Sequence, residues 1–147
     1  MSFINELREK SASAEATKNE VIAEIKNSFD KYLNGDRLEN YLRRRIGDSE
    51  IKDRKVFMSV EFWEYHSGCS TTHFHCGGCE WYNPENKEGW ESHTYKGVEL
   101  RNIDREVCNY LSSRLVNRMN ELGFCLVSKE DQKSRLGYYD THFYFGW

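Results

Sequence analysis

The sequence predicts an α+β fold: N-terminal helices, then one mostly antiparallel sheet with helices on one face. Three observations carry that expectation. In residues 103–122, Ile103, Val107, Leu111, Leu115, Met119 and Leu122 recur at the spacing of a single helical face. In residues 56–65, Val56, Met58, Val60 and Phe62 alternate with Phe57, Ser59, Glu61, Trp63 and Tyr65, as a strand with two unlike faces requires. Residues 138–147 alternate again, Tyr139, Thr141, Phe143, Phe145 and Trp147 against Tyr138, His142 and Tyr144. Helical and strand segments in this order pack as a sheet covered by helices on one side. With 147 residues the chain makes about one domain, residues 1–147.

Taken in order, residues 1–16 are polar and alanine-rich and read as a frayed or separately docking helix. Thr17-Lys18-Asn19-Glu20 has the form of a capping box. Val21, Ile22, Ile25, Phe29, Tyr32 and Leu33 follow along one helical face, and Asn34-Gly35 ends that helix. Asp36-Arg37-Leu38-Glu39 starts a second helix, with Leu38, Tyr41, Leu42 and Ile46 on its apolar side and Gly47 as its stop. Residues 56–65 are then the central strand. Residues 80–82 and 90–96 read as two short strands around a turn at 83–89. Asn102 caps the long helix, Gly123 takes the left-handed C-terminal position and Phe124 packs back on the last turn. Residues 124–128 are a strand, 129–137 a charged connection, and 138–147 the closing strand.

Between the central strand and the long helix lies the densest chemistry. Residues 66–79 hold three of the five cysteines and three of the five histidines. His66-x-x-Cys69 and Cys76-x-x-Cys79 share one spacing, and each has glycine before its cysteine or between its pair. A tight turn of this kind presents two soft ligands to two corners of a tetrahedral zinc ion. The expected site is Cys3His, formed by His66, Cys69, Cys76 and Cys79, with His73 or His75 as alternates for His66. A redox pair is the competing reading of Cys76-x-x-Cys79, but that motif opens a helix, and Glu80-Trp81-Tyr82-Asn83-Pro84 reads as strand and turn. Residues 66–97 are thus expected to be a zinc-tied hairpin lobe inserted in the domain, Zn2+ being its cofactor.

Net charge is −3, which disfavours binding duplex nucleic acid by charge. Residues 56–98 carry Glu61, Glu64, Glu80, Glu85, Glu88 and Glu91 against Lys87 and Lys96, so the expected metal region is the acidic part. No run has transmembrane length, and the first residues lack the apolar core of a signal peptide. An odd cysteine count fits a reducing, cytoplasmic compartment. Signatures of the zinc deaminases, of phosphate-binding glycine loops and of serine-hydrolase elbows are missing.

Trp63, Trp81, Tyr82, Trp90 and Tyr95 cluster on the lobe and its neighbouring strand, and aromatics of this kind anchor protein interfaces. The acidic surround favours a basic protein partner. A long helix ending in Leu122-Gly123-Phe124, then a hairpin ending in Phe143-Tyr144-Phe145-Gly146-Trp147, resembles small phage- or prophage-encoded accessory proteins. That resemblance covers the last third of the chain and the order of the earlier elements. It implies an accessory protein that acts on a host enzyme or defence system, by masking a protein surface or sequestering a nucleotide signal. With the His/Cys loop as an elaboration on that plan, the expected function is a non-enzymatic, zinc-stabilised protein that docks on a host protein, the concrete version being an inhibitor of a host defence protein. Two rivals stand beside it. One is a sponge for a nucleotide signal, with Arg43, Arg44 and Arg45 or Arg101 and Arg105 on the phosphates. The other is a phosphodiesterase using His93 and His142, each the first residue of a His-x-Tyr on an expected strand.

Overall fold

The computed structural model describes residues 2–64, 72–77, 79–82, 94–100, 105–133 and 139–147. Helix α1 spans Phe3–Asn34 without interruption, and the Ser2 side chain caps it by accepting from the Asn5 N–H. The expected start at Thr17 is therefore corrected. The Thr17 hydroxyl donates instead to the Ser13 carbonyl one turn back, inside the helix. Residues 2–16 are exposed all round and add a helical arm to the packed half, which buries Val21, Ile25, Phe29, Tyr32 and Leu33. Once the buried turns have nucleated a helix, each further residue adds a hydrogen bond at little cost.

Helix α2 (Arg37–Arg45) buries Leu38 and Leu42, and a short helix α3 (Asp48–Asp53), unforeseen in the sequence, leads into the sheet. Strand β1 (Lys55–Glu64) is central, as its alternation requires. Strands β2 (Thr72–Cys76) and β3 (Cys79–Tyr82) form a hairpin beside it. Strands β4 (Thr94–Tyr95) and β5 (Val98–Glu99) pair only with each other, turning at Lys96 and Gly97, both with positive φ. Helix α4 (Arg105–Glu121) precedes β6 (Cys125–Lys133) and β7 (Tyr139–Gly146). The five-stranded sheet runs β3-β2-β1-β7-β6, every neighbouring pair antiparallel.

The end of α4 follows the expectation in detail. Gly123 has φ +99°, its N–H donates to the Asn120 carbonyl, and the Phe124 N–H reaches the Met119 carbonyl at 2.9 Å. Those two bonds close a Schellman cap. Beyond it, Trp147 meets Phe124 edge to face at 5.6 Å.

Two expectations about the middle and end of the chain are corrected. Residues 80–82 pair with β2, while Thr94–Tyr95, the described strand within 90–96, pair with Val98–Glu99. The β2–β3 part of 66–97 extends the main sheet beside β1. Phe74, Cys76, Trp81 and Tyr82 belong to the main core, with Trp81 against Phe29 at 4.8 Å. A hairpin this short cannot bury its own apolar face, whereas adding it to an existing sheet edge buries both. At the other edge, the charged run Lys129–Lys133 continues β6 rather than forming a connection. An edge strand with both flanks wet tolerates charge, and the charge guards its unpaired backbone.

Helices α1 and α4 cover the face carrying Val56, Met58, Val60, Phe143 and Phe145. Phe57, Ser59, Glu61, His142 and Tyr144 lie on the opposite face, which no described helix covers.

Candidate functional site

Register places titratable side chains side by side on that open face. Glu61 on β1 pairs with Asp140 on β7, and Ser59 with His142, so Glu61, Asp140 and His142 fall on neighbouring rungs pointing the same way. One ligand atom from each lies within 4.8 Å of the others, all half-buried. His142 Nε2 sits 2.8 Å from Asp140 Oδ2. The buried Ser59 hydroxyl donates to Glu61 Oε1 at 2.6 Å. Asp140 Oδ1 is buried and has no hydrogen-bond partner. Burial, and secondarily the Asp140 carboxylate, raise the Glu61 carboxyl above its ordinary range against the opposing pull of Ser59 and His142.

Around the triad the sheet is aromatic and polar by turns. Phe57 meets the His142 ring edge-on at 5.0 Å and Tyr144 at 5.4 Å. A cleft of about 360 Å³ opens beside His142, lined by Phe57, Ser128, Lys129, Glu130 and Tyr144. Across β1, His75 stands opposite Glu61 and Glu80 opposite His75, so the titratable row extends over β3, β2, β1 and β7.

The thiols sit elsewhere. Cys76 and Cys79 are direct cross-strand partners at the closed end of the β2–β3 hairpin, where Gly77 takes φ +64°. Its N–H donates to the Ser59 carbonyl at 2.7 Å, and a Cβ there would stand 2.6 Å from Tyr41 Cε1. Cys76 is fully buried, and burial first, then Cys79, pushes its thiol far above the ordinary range. The Tyr32 hydroxyl donates to the Cys76 carbonyl at 3.4 Å.

Of the other expected ligands, His66 and Cys69 lie outside the described residues. His73 is on β2 opposite Trp63 of β1, and His75 faces the open side opposite Glu61.

Among the expected interface aromatics, Trp81 and Tyr82 are corrected to core residues, 7% and 8% exposed. They complete the apolar layer over Phe29 and Phe74. The Tyr95 hydroxyl donates to Glu24 at 2.9 Å and docks the small ribbon on α1. Trp90 and His93 lie outside the described residues, as does Arg101. Arg43, Arg44 and Arg45 are exposed, with Arg43 reaching Glu39 and Arg45 pairing with Glu50 at 2.6 Å. His142, one of the two histidines proposed for acid–base work, lies beside Glu61 and Asp140.

Sequence reasoning missed Glu61 and Asp140 as members of a site. A signal was present: the alternation already put Glu61 and His142 on the polar sides of their strands, and Asp140 is two residues before His142. No helix of the described residues is long and apolar enough to cross a membrane. No protein-family model, curated protein or solved structure matches the chain.

Proposed function

We propose that the protein is a divalent-metal-dependent hydrolytic enzyme whose working surface is the open face of the sheet. The observation that carries this reading is the convergence of Glu61, Asp140 and His142 from two paired strands, with a buried Asp140 oxygen that lacks a partner. Two carboxylates and an imidazole suit a first-row divalent ion such as Mn2+ or Zn2+. Bonds of about 2.0–2.2 Å would set the three atoms about 3–3.5 Å from one another, and the ion would replace the 2.8 Å hydrogen bond between His142 and Asp140. Three protein ligands leave coordination positions open for water, the layout of catalytic rather than structural sites, and a bound water is acidified toward about pH 7.

The remaining parts have stated roles. Ser59 orients Glu61 through its hydrogen bond. Phe57 fixes the plane of the His142 ring by its edge contact. The cleft beside His142 holds the substrate against Phe57 and Tyr144. The rival reading, docking on a host protein, loses Trp81 and Tyr82 to the core and Tyr95 to its bond with Glu24.

Calorimetric titration of the EDTA-treated chain with Mn2+ and Zn2+ tests the ion. Assays on p-nitrophenyl phosphate, bis(p-nitrophenyl) phosphate and p-nitrophenyl acetate test the reaction. Binding near one equivalent is expected, with hydrolysis of at least one ester lost in Glu61→Gln and Asp140→Asn. Failure to bind either ion overturns the site, and stoichiometric metal without turnover overturns the catalysis.

A further inference from the structure

The geometry points to a phosphate-binding hollow on the helix-covered side of the sheet, built by Ser28 and Lys31 of α1, Tyr32, Arg37 of α2 and Trp81 of β3. These five residues line a space of about 270 Å³. Ser28, Lys31, Arg37 and Trp81 bring hydrogen-bond donors, Tyr32 gives its own to the Cys76 carbonyl, and none of the five carries a carboxylate. That is notable in a chain with net charge −3.

Trp81 supplies the independent sign of a ligand. Its ring is 7% exposed and wedged against Phe29 and Phe74, yet its Nε1–H is buried with no hydrogen-bond partner. Buried tryptophan normally finds an acceptor for that group. Leaving it unmet costs free energy that an acceptor drawn in beside the ring would return.

The cations are set for the same ligand. The Arg37 guanidinium lies over the Tyr32 ring, 5.3 Å from its centre, and Nη2 donates to the Glu80 carbonyl at 2.7 Å. Held at one corner, the fork keeps its other N–H groups for an oxyanion. Neither Arg37 nor Lys31 pairs with a carboxylate among the described residues. Asp30, the acid next to Lys31, is taken up by Tyr110 and Arg114. The volume is just below the usual range for drug-sized ligands, which suits a phosphate group with a small body attached.

The test is a titration of the ¹⁵N-labelled full-length protein followed at the tryptophan indole N–H resonances, with Trp81→Phe assigning its own. Inorganic phosphate and ribose 5-phosphate are added separately, against sodium chloride at matched ionic strength. A saturable shift of the Trp81 indole with phosphate, absent with chloride and weakened about tenfold or more in Arg37→Gln and Lys31→Gln, is the expected result. Tighter binding of ribose 5-phosphate would identify a phosphomonoester as the ligand, and equal binding would identify the free anion. A shift that never saturates, or one unchanged in Arg37→Gln, overturns the hollow as a site. Both variants alter exposed side chains, so retained helicity by circular dichroism shows that a loss is one of binding. Glu61→Gln should leave the shift intact, because that residue is on the opposite face.

Discussion

Two regions of this molecule carry side chains of the kinds that ligate metal ions, and they differ in burial, in sequence separation and in surroundings. At the closed end of the β2–β3 hairpin, Cys76 and Cys79 are neighbours in sequence and cross-strand partners. Cys76 nevertheless lies wholly within the apolar core, and burial pushes its thiol up. On the open face, Glu61 is separated from Asp140 and His142 by most of the second half of the chain. These three meet half-buried, one carboxylate oxygen unpartnered, beside a cleft. A metal ligand must be deprotonated and must leave room for the ion. The thiol pair has the motif, with one member enclosed by the core, whereas the carboxylate–histidine group lies beside a cleft and has no motif.

The sharpest way to break this comparison is to move the metal. Glu61→Gln and Asp140→Asn should each weaken Mn2+ or Zn2+ binding by more than about 100-fold, beyond the range that loss of a supporting group produces. Cys76→Ser and Cys79→Ser should leave the calorimetric affinity unchanged. The reverse pattern would make the hairpin the metal site after all.

A second measurement addresses what Cys76 does. Cys76→Ser places a hydroxyl among apolar side chains, and it should lower stability by about 1–3 kcal/mol in urea unfolding. The loss should be the same with and without EDTA, as a packing role requires. A loss confined to metal-replete protein would show that the thiol holds an ion.

The smallest effect should be found at Glu61 in metal-free protein. Burial raises this carboxyl, so the folded state holds its proton more tightly than the unfolded chain does. Its contribution is fully present below the ordinary carboxyl range and is lost as pH rises through the higher folded value. Glu61→Gln removes that loss. The variant should melt slightly above the wild type at about pH 7 and the gap should close toward about pH 4, while the same change abolishes metal binding. A variant less stable than wild type at neutral pH would mean that ionised Glu61 supports the fold.

Much of the architecture could be read directly from residue order. The stripe through Leu111, Leu115 and Met119 and the stop at Gly123 depend on contacts within a few residues, so α4 and its cap were legible. Alternation in β1 and β7 likewise announced which side each strand buries. Local signals misled where long-range packing outweighed them. Thr17 has a capping pattern but sits inside a helix continued from Phe3, and the charges of Lys129–Lys133 suggested a loop where β7 supplies a pairing edge.

What this sequence determined by itself was therefore its set of elements and the face each one buries, because periodicity and caps act over single turns and adjacent residues. Only the tertiary structure decided which groups share a site. The register of β1 against β7 sets Glu61 beside Asp140 and His142, while the hairpin's place on the sheet sends Cys76, Trp81 and Tyr82 into the core. Register is a property of two strands together, fixed by burying both apolar faces at once, and neither strand encodes it alone.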